Sequence, residues 1–157
     1  MTKHFSQRER STRTLCLVDV ENCASTSHVS LEHASHVRDA IKQAAPEVLI
    51  HIVGCSHHNA AATRFAFSRS RVVVRSGNNG ADLALIDVIE TENVENRFGR
   101  VIIASGDHIF AHAAKRLRRA GVSVEALAIH GQISRDLACT CNAVRYLSVQ
   151  NLGSSNV

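Results

Sequence analysis

Apolar positions in this chain come in short runs separated by stretches of helical length. The runs TLCLVD (14–19), EVLIHIV (47–53), RVVVR (71–75), RVIIAS (100–105) and VSVEALA (122–128) read as strands. They are β-branched and apolar on both faces, the pattern of strands covered from both sides in a parallel sheet. Between them, segments 30–44, 57–68, 81–96 and 108–120 have helical length. In the last of these, Phe110, Ala113, Ala114 and Leu117 share one face while Lys115, Arg118 and Arg119 point away. Gly121 follows where a helix C-terminus needs it. A weaker helix near 133–140 and a short strand near 143–148 complete the series. Such alternation predicts an α/β three-layer Rossmannoid fold, with a mainly parallel central sheet of five to six strands and right-handed crossovers. Residues 1–12 read as a disordered basic arm, 13–149 as the domain and 150–157 as a flexible tail.

Composition narrows the class. The 157 residues are 45% apolar with no long apolar run, which predicts a soluble globular domain with no membrane association. The opening MTKHFSQRERSTRT is polar and basic and lacks the apolar core of a secretory signal. Five cysteines at irregular spacing fit a reducing interior, so a cytoplasmic location is expected. A net charge of +4 and ten histidines suit a polyanion partner without requiring one. One tyrosine and no tryptophan make a stacking platform for single strands thin. Neither a G-x-G-x-x-G turn nor a Walker loop is present, which removes dinucleotide and triphosphate binding.

In open parallel sheets, ligands gather beyond the carboxyl ends of the strands, where the strand order reverses. Acids stand at three of those ends. Asp19 follows the first strand, with Glu21 and Asn22 behind it. Asp82 follows the third through the turn SGNNGA, and Asp107 follows the fourth in SGDHIF. Each has a plain alternative as a helix cap. If the first and fourth strands are neighbours, Asp19 and Asp107 face each other and Asp82 completes a cluster. Clustered carboxylates repel, and a hard divalent cation, Mg²⁺ or Mn²⁺, relieves that repulsion and supports phosphoryl chemistry.

LVDVENC with its D-x-x-N, then GADLALIDVI, then IIASGDHIFAHAAKRLRRAGVSVE resemble the NYN domain family of PIN-like ribonucleases over roughly residues 13–130. The resemblance implies a PIN-like fold and metal-dependent endonucleolytic cleavage of RNA. Carried over position by position, Asp19, Asp82 and Asp107 match the metal-binding acids, and Asn22 matches the asparagine that orients the site. It also implies self-association as a homodimer. The family motif often reads S-G-D-x-D-F, and Ile109 stands here where the second acid would be. The alternative is therefore a catalytically degenerate PIN-like module that holds RNA or a protein partner without cutting.

Other residues carry weaker signals. His57, His58, Asn59, Arg75 and Asn78 follow the second and third strands and are candidates for RNA phosphates. Arg64, Arg69 and Arg71 would extend that surface. Asp87, five residues after Asp82, points about 140° away on a helix and reads as a solvated residue. The stripe Lys115, Arg116, Arg118 and Arg119 reads as a solvated helix face. The pair in CTC (139–141) lacks a second pair at zinc spacing, and Cys23 and Cys55 read as small packing residues. An aspartate-nucleophile phosphotransferase would want acids where Glu21 is not Asp and where His112 stands, and is set aside.

Overall fold

A computed structural model describes residues 13–148. Six strands form one wholly parallel sheet in the order β3-β2-β1-β4-β5-β6. They are β1 (Thr14–Asp19), β2 (Ile50–Cys55), β3 (Arg71–Val74), β4 (Arg100–Ala104), β5 (Ser123–Ile129) and β6 (Ala143–Leu147). The helices are α1 (Val20–Ala24), α2 (Leu31–Ala44), α3 (Ala60–Ala66), α4 (Gly80–Thr91), α5 (Val94–Arg97), α6 (Ala111–Arg119) and α7 (Arg135–Thr140). Single 3₁₀ turns, His57–Asn59 and His108–Phe110, lead into α3 and α6.

The two-residue period of β1 divides the core. Leu15 and Leu17 face one side with Leu85, Ile89, Phe110 and Leu117; Cys16 and Val18 face the other with Val37, Ile41 and Phe67. All four β1 residues are fully buried, which is why a central parallel strand reads as an unbroken apolar run. The sequence walks outward from β1 through β2 to β3, then returns to the other side of β1 and walks outward from β4 to β6. The reversal between β1 and β4 creates a crevice at their carboxyl ends.

Element boundaries differ from the sequence expectation in instructive ways. The second strand runs from Ile50 to Cys55 rather than 47–53, because residues 45–48 turn after α2, with the Val48 N–H donating to the Ala45 carbonyl at 3.2 Å. The expected helix 81–96 is two helices, parted where Asn93 takes a left-handed φ of 56°, a conformation asparagine tolerates. Helix α1, which the sequence pattern did not predict, follows β1 directly. The expected arm (1–12) and tail (150–157) lie outside the described residues.

Candidate functional site

The crevice is built from the strand ends upward. Asp19, the last residue of β1, caps α1: its Oδ1 accepts from the Asn22 N–H at 3.3 Å. Because α1 starts at once, Glu21 and Asn22 are carried round to the same rim. The Asn22 Oδ1 accepts from the Gly106 N–H at 3.0 Å and ties the end of β1 to the loop after β4. A side chain at Gly106 would run into the Gln132 carbonyl, and the Gly106 carbonyl accepts from the Ser134 N–H at 2.8 Å. Glycine is required there by close approach of two backbones.

Ser105, fully buried, joins two of the acids. Its Oγ donates to Asp19 Oδ2 at 3.3 Å and accepts from the Asp107 N–H at 3.2 Å. Asp107 in turn caps the 3₁₀ turn, its Oδ1 accepting from the Ile109 N–H at 3.0 Å. Asp82 arrives differently. Asn79, at φ 56°, precedes α4 and makes no side-chain cap, so Asp82 in the first turn is not the capping residue. Gly80 opens the helix with its Cα against the Arg75 carbonyl, where a side chain would collide. This tight turn brings Asp82, 6% exposed, over the end of β1.

Electrostatics mark Asp82 out. Burial, a hydrogen bond shared with Asp19, and the charges of Asp19 and Asp107 push its carboxyl up to about 9. Burial raises Asp19 as well, opposed by hydrogen bonds from Asp82, the Asn22 N–H and Ser105. Asp82 therefore carries a proton at neutral pH, and its neighbours hold it. The acids border a pocket of about 210 Å³, together with Glu21, Asn22 and Ser56.

Glu21 is fixed by partners that the sequence did not reveal. Its Oε1 accepts from the Ser56 N–H at 2.9 Å and from Asn59 Nδ2 at 2.8 Å. Asn59, expected among the phosphate-facing residues, is instead a buried brace. It accepts from the Val29 N–H at 2.9 Å and donates to the Ser27 carbonyl at 2.9 Å. His57 and His58 are exposed on the rim, with His57 Nδ1 2.5 Å from Ser76 Oγ and His58 Nε2 2.6 Å from the Ser27 carbonyl. Arg75 and Asn78 are exposed in the loop between β3 and α4.

Other candidates fall away from the crevice. Arg71 begins β3 at the amino end of the sheet and pairs with Glu92, and Arg69 lies at that end too; neither shares a face with the acids. Arg64 is exposed on α3, close enough to Cys55 at the end of β2 for its charge to be felt there. Asp87 is exposed and does not line the acidic pocket. Ile109 packs against the core cluster beneath α4 and α6. Within the basic stripe, Arg116 donates to the Ile89 carbonyl at 2.9 Å and Arg118 to the Thr140 carbonyl at 2.8 Å, so both brace helix packing. Among the described residues, no group of three or more His, Cys, Asp or Glu side chains is disposed as placed to hold a metal ion. The donor chemistry nonetheless fits a hard cation, for Asp19, Asp82 and Asp107 offer only carboxylate oxygens.

The Rossmann-ordered parallel sheet gathers acids at its switch point, and the match to the NYN family model makes this a PIN-like, nuclease-type α/β fold. The chain belongs to the NYN domain family, which matches residues 13–148. Among solved structures it is similar to a protein of unknown function from Vibrio parahaemolyticus. The two share 17% identity and a TM-score of 0.59, over 93% of this chain and 95% of the other, a likeness of fold. No curated protein matches. Among the described residues, no helix is long and apolar enough to cross a membrane.

Proposed function

We propose that this protein is an endoribonuclease that uses Mg²⁺ or Mn²⁺, held by Asp19, Asp82 and Asp107, to cleave RNA phosphodiester bonds. The observation that carries the reading is the meeting of three carboxylates from three strand ends at one pocket, with Asp82 pushed up to about 9 by burial first and by Asp19 and Asp107 besides. A bound divalent ion would supply activation of water and neutralise charge on the phosphoryl group. The chain's own residues prepare that site. Asp82, raised to about 9, keeps its proton while the cluster is bare, and a bound cation would favour its ionised form. Asn22 and Ser105 hold the ends of β1 and β4 together, so the spacing of Asp19 and Asp107 is set before any ligand binds. On this reading RNA phosphates are bound by His57, His58, Arg75 and Asn78, whose exposure supports the assignment. The five free cysteines suit a reducing compartment, and we place the protein in the cytoplasm.

One observation favours a second reading. The acids pair with one another and with backbone groups rather than surrounding a single point, and Ile109 supplies no further carboxylate. On that reading the domain binds RNA without cutting it. Incubation of pure protein with labelled single-stranded RNA and Mn²⁺, with and without chelator, separates the two. Cleavage that chelator abolishes is expected; binding without cleavage would leave the module reading standing.

A further inference from the structure

A second cavity, of about 490 Å³, lies at the opposite end of the sheet, between α2, the start of β2 and the loop joining α3 to β3. Ile41 and Phe67 contribute to its apolar floor. Its ionisable lining is entirely basic: Arg38 and Lys42, one turn apart on α2, His51 on β2, and Arg69 in the loop. Other cations near this end of the sheet are neutralised. Arg71 pairs with Glu92, and Arg100 and Arg145 with Glu47 and Glu125. Around the cavity that compensation stops. Arg38 forms an ion pair with the exposed Asp39 and donates to the Ala66 carbonyl, while among the described residues the Lys42 ammonium and the Arg69 guanidinium have no carboxylate partner.

His51 adds an imidazole ring to the lining. Burial and the nearby Lys42 charge hold its pKa below the usual imidazole range, so the ring is neutral. Its Nε2 is buried with no hydrogen-bond partner. That atom is closed to solvent, so His51 offers the cavity the accessible part of a neutral ring rather than a hydrogen bond. The volume lies within the range of small-ligand sites, and apolar floor beside cationic wall is the pairing such sites use. Arginine and lysine are the usual phosphate partners.

We propose that this cavity binds a nucleotide-sized phosphate ligand, with Lys42 and Arg69 on the phosphate and the apolar floor under the base. The ligand is either a free mononucleotide or the phosphorylated end of an RNA chain. The site uses none of the acidic crevice and is separated from it by most of the length of β2.

Calorimetric titration of the full chain in chelator, at low salt, tests this. The probes are AMP, adenosine, a 5′-phosphorylated RNA tetranucleotide and its 5′-hydroxyl counterpart. Saturable binding of AMP but not adenosine is expected. A Lys42→Ala, Arg69→Ala double variant should weaken it at least tenfold with an unchanged melting temperature. If only the phosphorylated tetranucleotide binds, with the same sensitivity to the double variant, the ligand is an RNA end. Absence of saturable binding by AMP and phosphorylated RNA alike, or equal binding by the double variant, overturns the assignment. Binding lost in Asp82→Asn but kept in the double variant also overturns it, since the phosphate then sits at the acids. Because chelator suppresses metal-dependent cleavage, these outcomes can be read whether or not the protein is a nuclease.

Discussion

The carboxyl group of Asp82 is hydrogen-bonded to that of Asp19, and burial together with the charges of Asp19 and Asp107 pushes Asp82 up to about 9. Burial and mutual repulsion forbid both from ionising, and Asp107 adds to the pressure on Asp82. The relationship ties a stability measurement directly to the arrangement of the crevice.

The metal-free protein should therefore lose stability as pH rises. Asp82 moves from its ordinary 3.8 to about 9 on folding, so between those values the folded state keeps a proton that the unfolded chain has released. Its contribution is fully present below about pH 3.8 and is lost as pH climbs through about 9. Asp19 is raised too and acts in the same direction. Melting temperatures in chelator from pH 5 to 9 should fall in the parent and vary less in Asp82→Asn. Parallel profiles for the two proteins would show that Asp82 does not keep that proton.

Asn22 is a positioning residue, and Asn22→Ala isolates that role. The substitution leaves the Gly106 N–H without its acceptor, an expected cost of about 1–3 kcal/mol for a buried donor left unpaired. For a chain of this size that is roughly 2–4 °C per kcal/mol. The structural loss should be accompanied by a weaker Mn²⁺ dependence of melting, since Asp19 and Asp107 lose their common brace. A variant that melts like the parent would remove the brace from the account.

Ile109→Asp tests the acid missing from the motif. Ile109 packs against the core, so the substitution should lower the melting temperature, in line with about 1.5–3 kcal/mol for a buried aliphatic side chain, reduced by its partial exposure. If a further carboxylate is what the site lacks, the variant's Mn²⁺-induced stabilisation should exceed the parent's despite that loss. An equal or smaller Mn²⁺ shift would mean that the native site needs no further carboxylate at position 109.

Most of the sheet was legible in the sequence because each strand is covered on both faces and so writes itself as an apolar run. The three acids were legible for a related reason: Asp19 ends the first run, and Asp107 and Asp82 follow the fourth and third in short turns. What the sequence hid depends on backbone geometry that no periodicity reports. Helix α1 is five residues long, too short for a 3.6-residue pattern, yet its immediate start sends Glu21 to the rim. Asn59 follows a strand end like any loop polar residue, and only the packing of residues 27–29 over it buries it. Arg69 and Arg71 lie close in sequence to Arg75, but β3 is four residues long and separates its two ends across the sheet. The Ser105 bridge sat inside a recognised motif, S-G-D, whose serine shows no role until Asp19 is placed beside it.

The decisive variant is Asp82→Asn, because it separates a carboxylate kept for chemistry from one kept for structure. Asp82 makes no cap: α4 is preceded by Asn79, and the carboxyl instead faces two other acids. Replacing it with the nearly isosteric amide removes a titratable group whose ionised form is disfavoured, while an amide N–H can still donate to Asp19. The metal-free variant should thus melt at or above the parent's temperature at pH 8, where the parent's proton begins to be lost. Mn²⁺ should stabilise the parent by an amount that grows with concentration, since a ligand raises stability only through its affinity for the native state. That shift should largely vanish in the variant, together with any metal-dependent cleavage of RNA. A capping aspartate behaves oppositely: its loss costs about 1 kcal/mol and leaves the response to metal intact. Melting curves of both proteins, in chelator and across a Mn²⁺ series, distinguish the two. A variant that melts lower in chelator yet keeps the parent's Mn²⁺ shift would make Asp82 structural and take the main support from the nuclease reading.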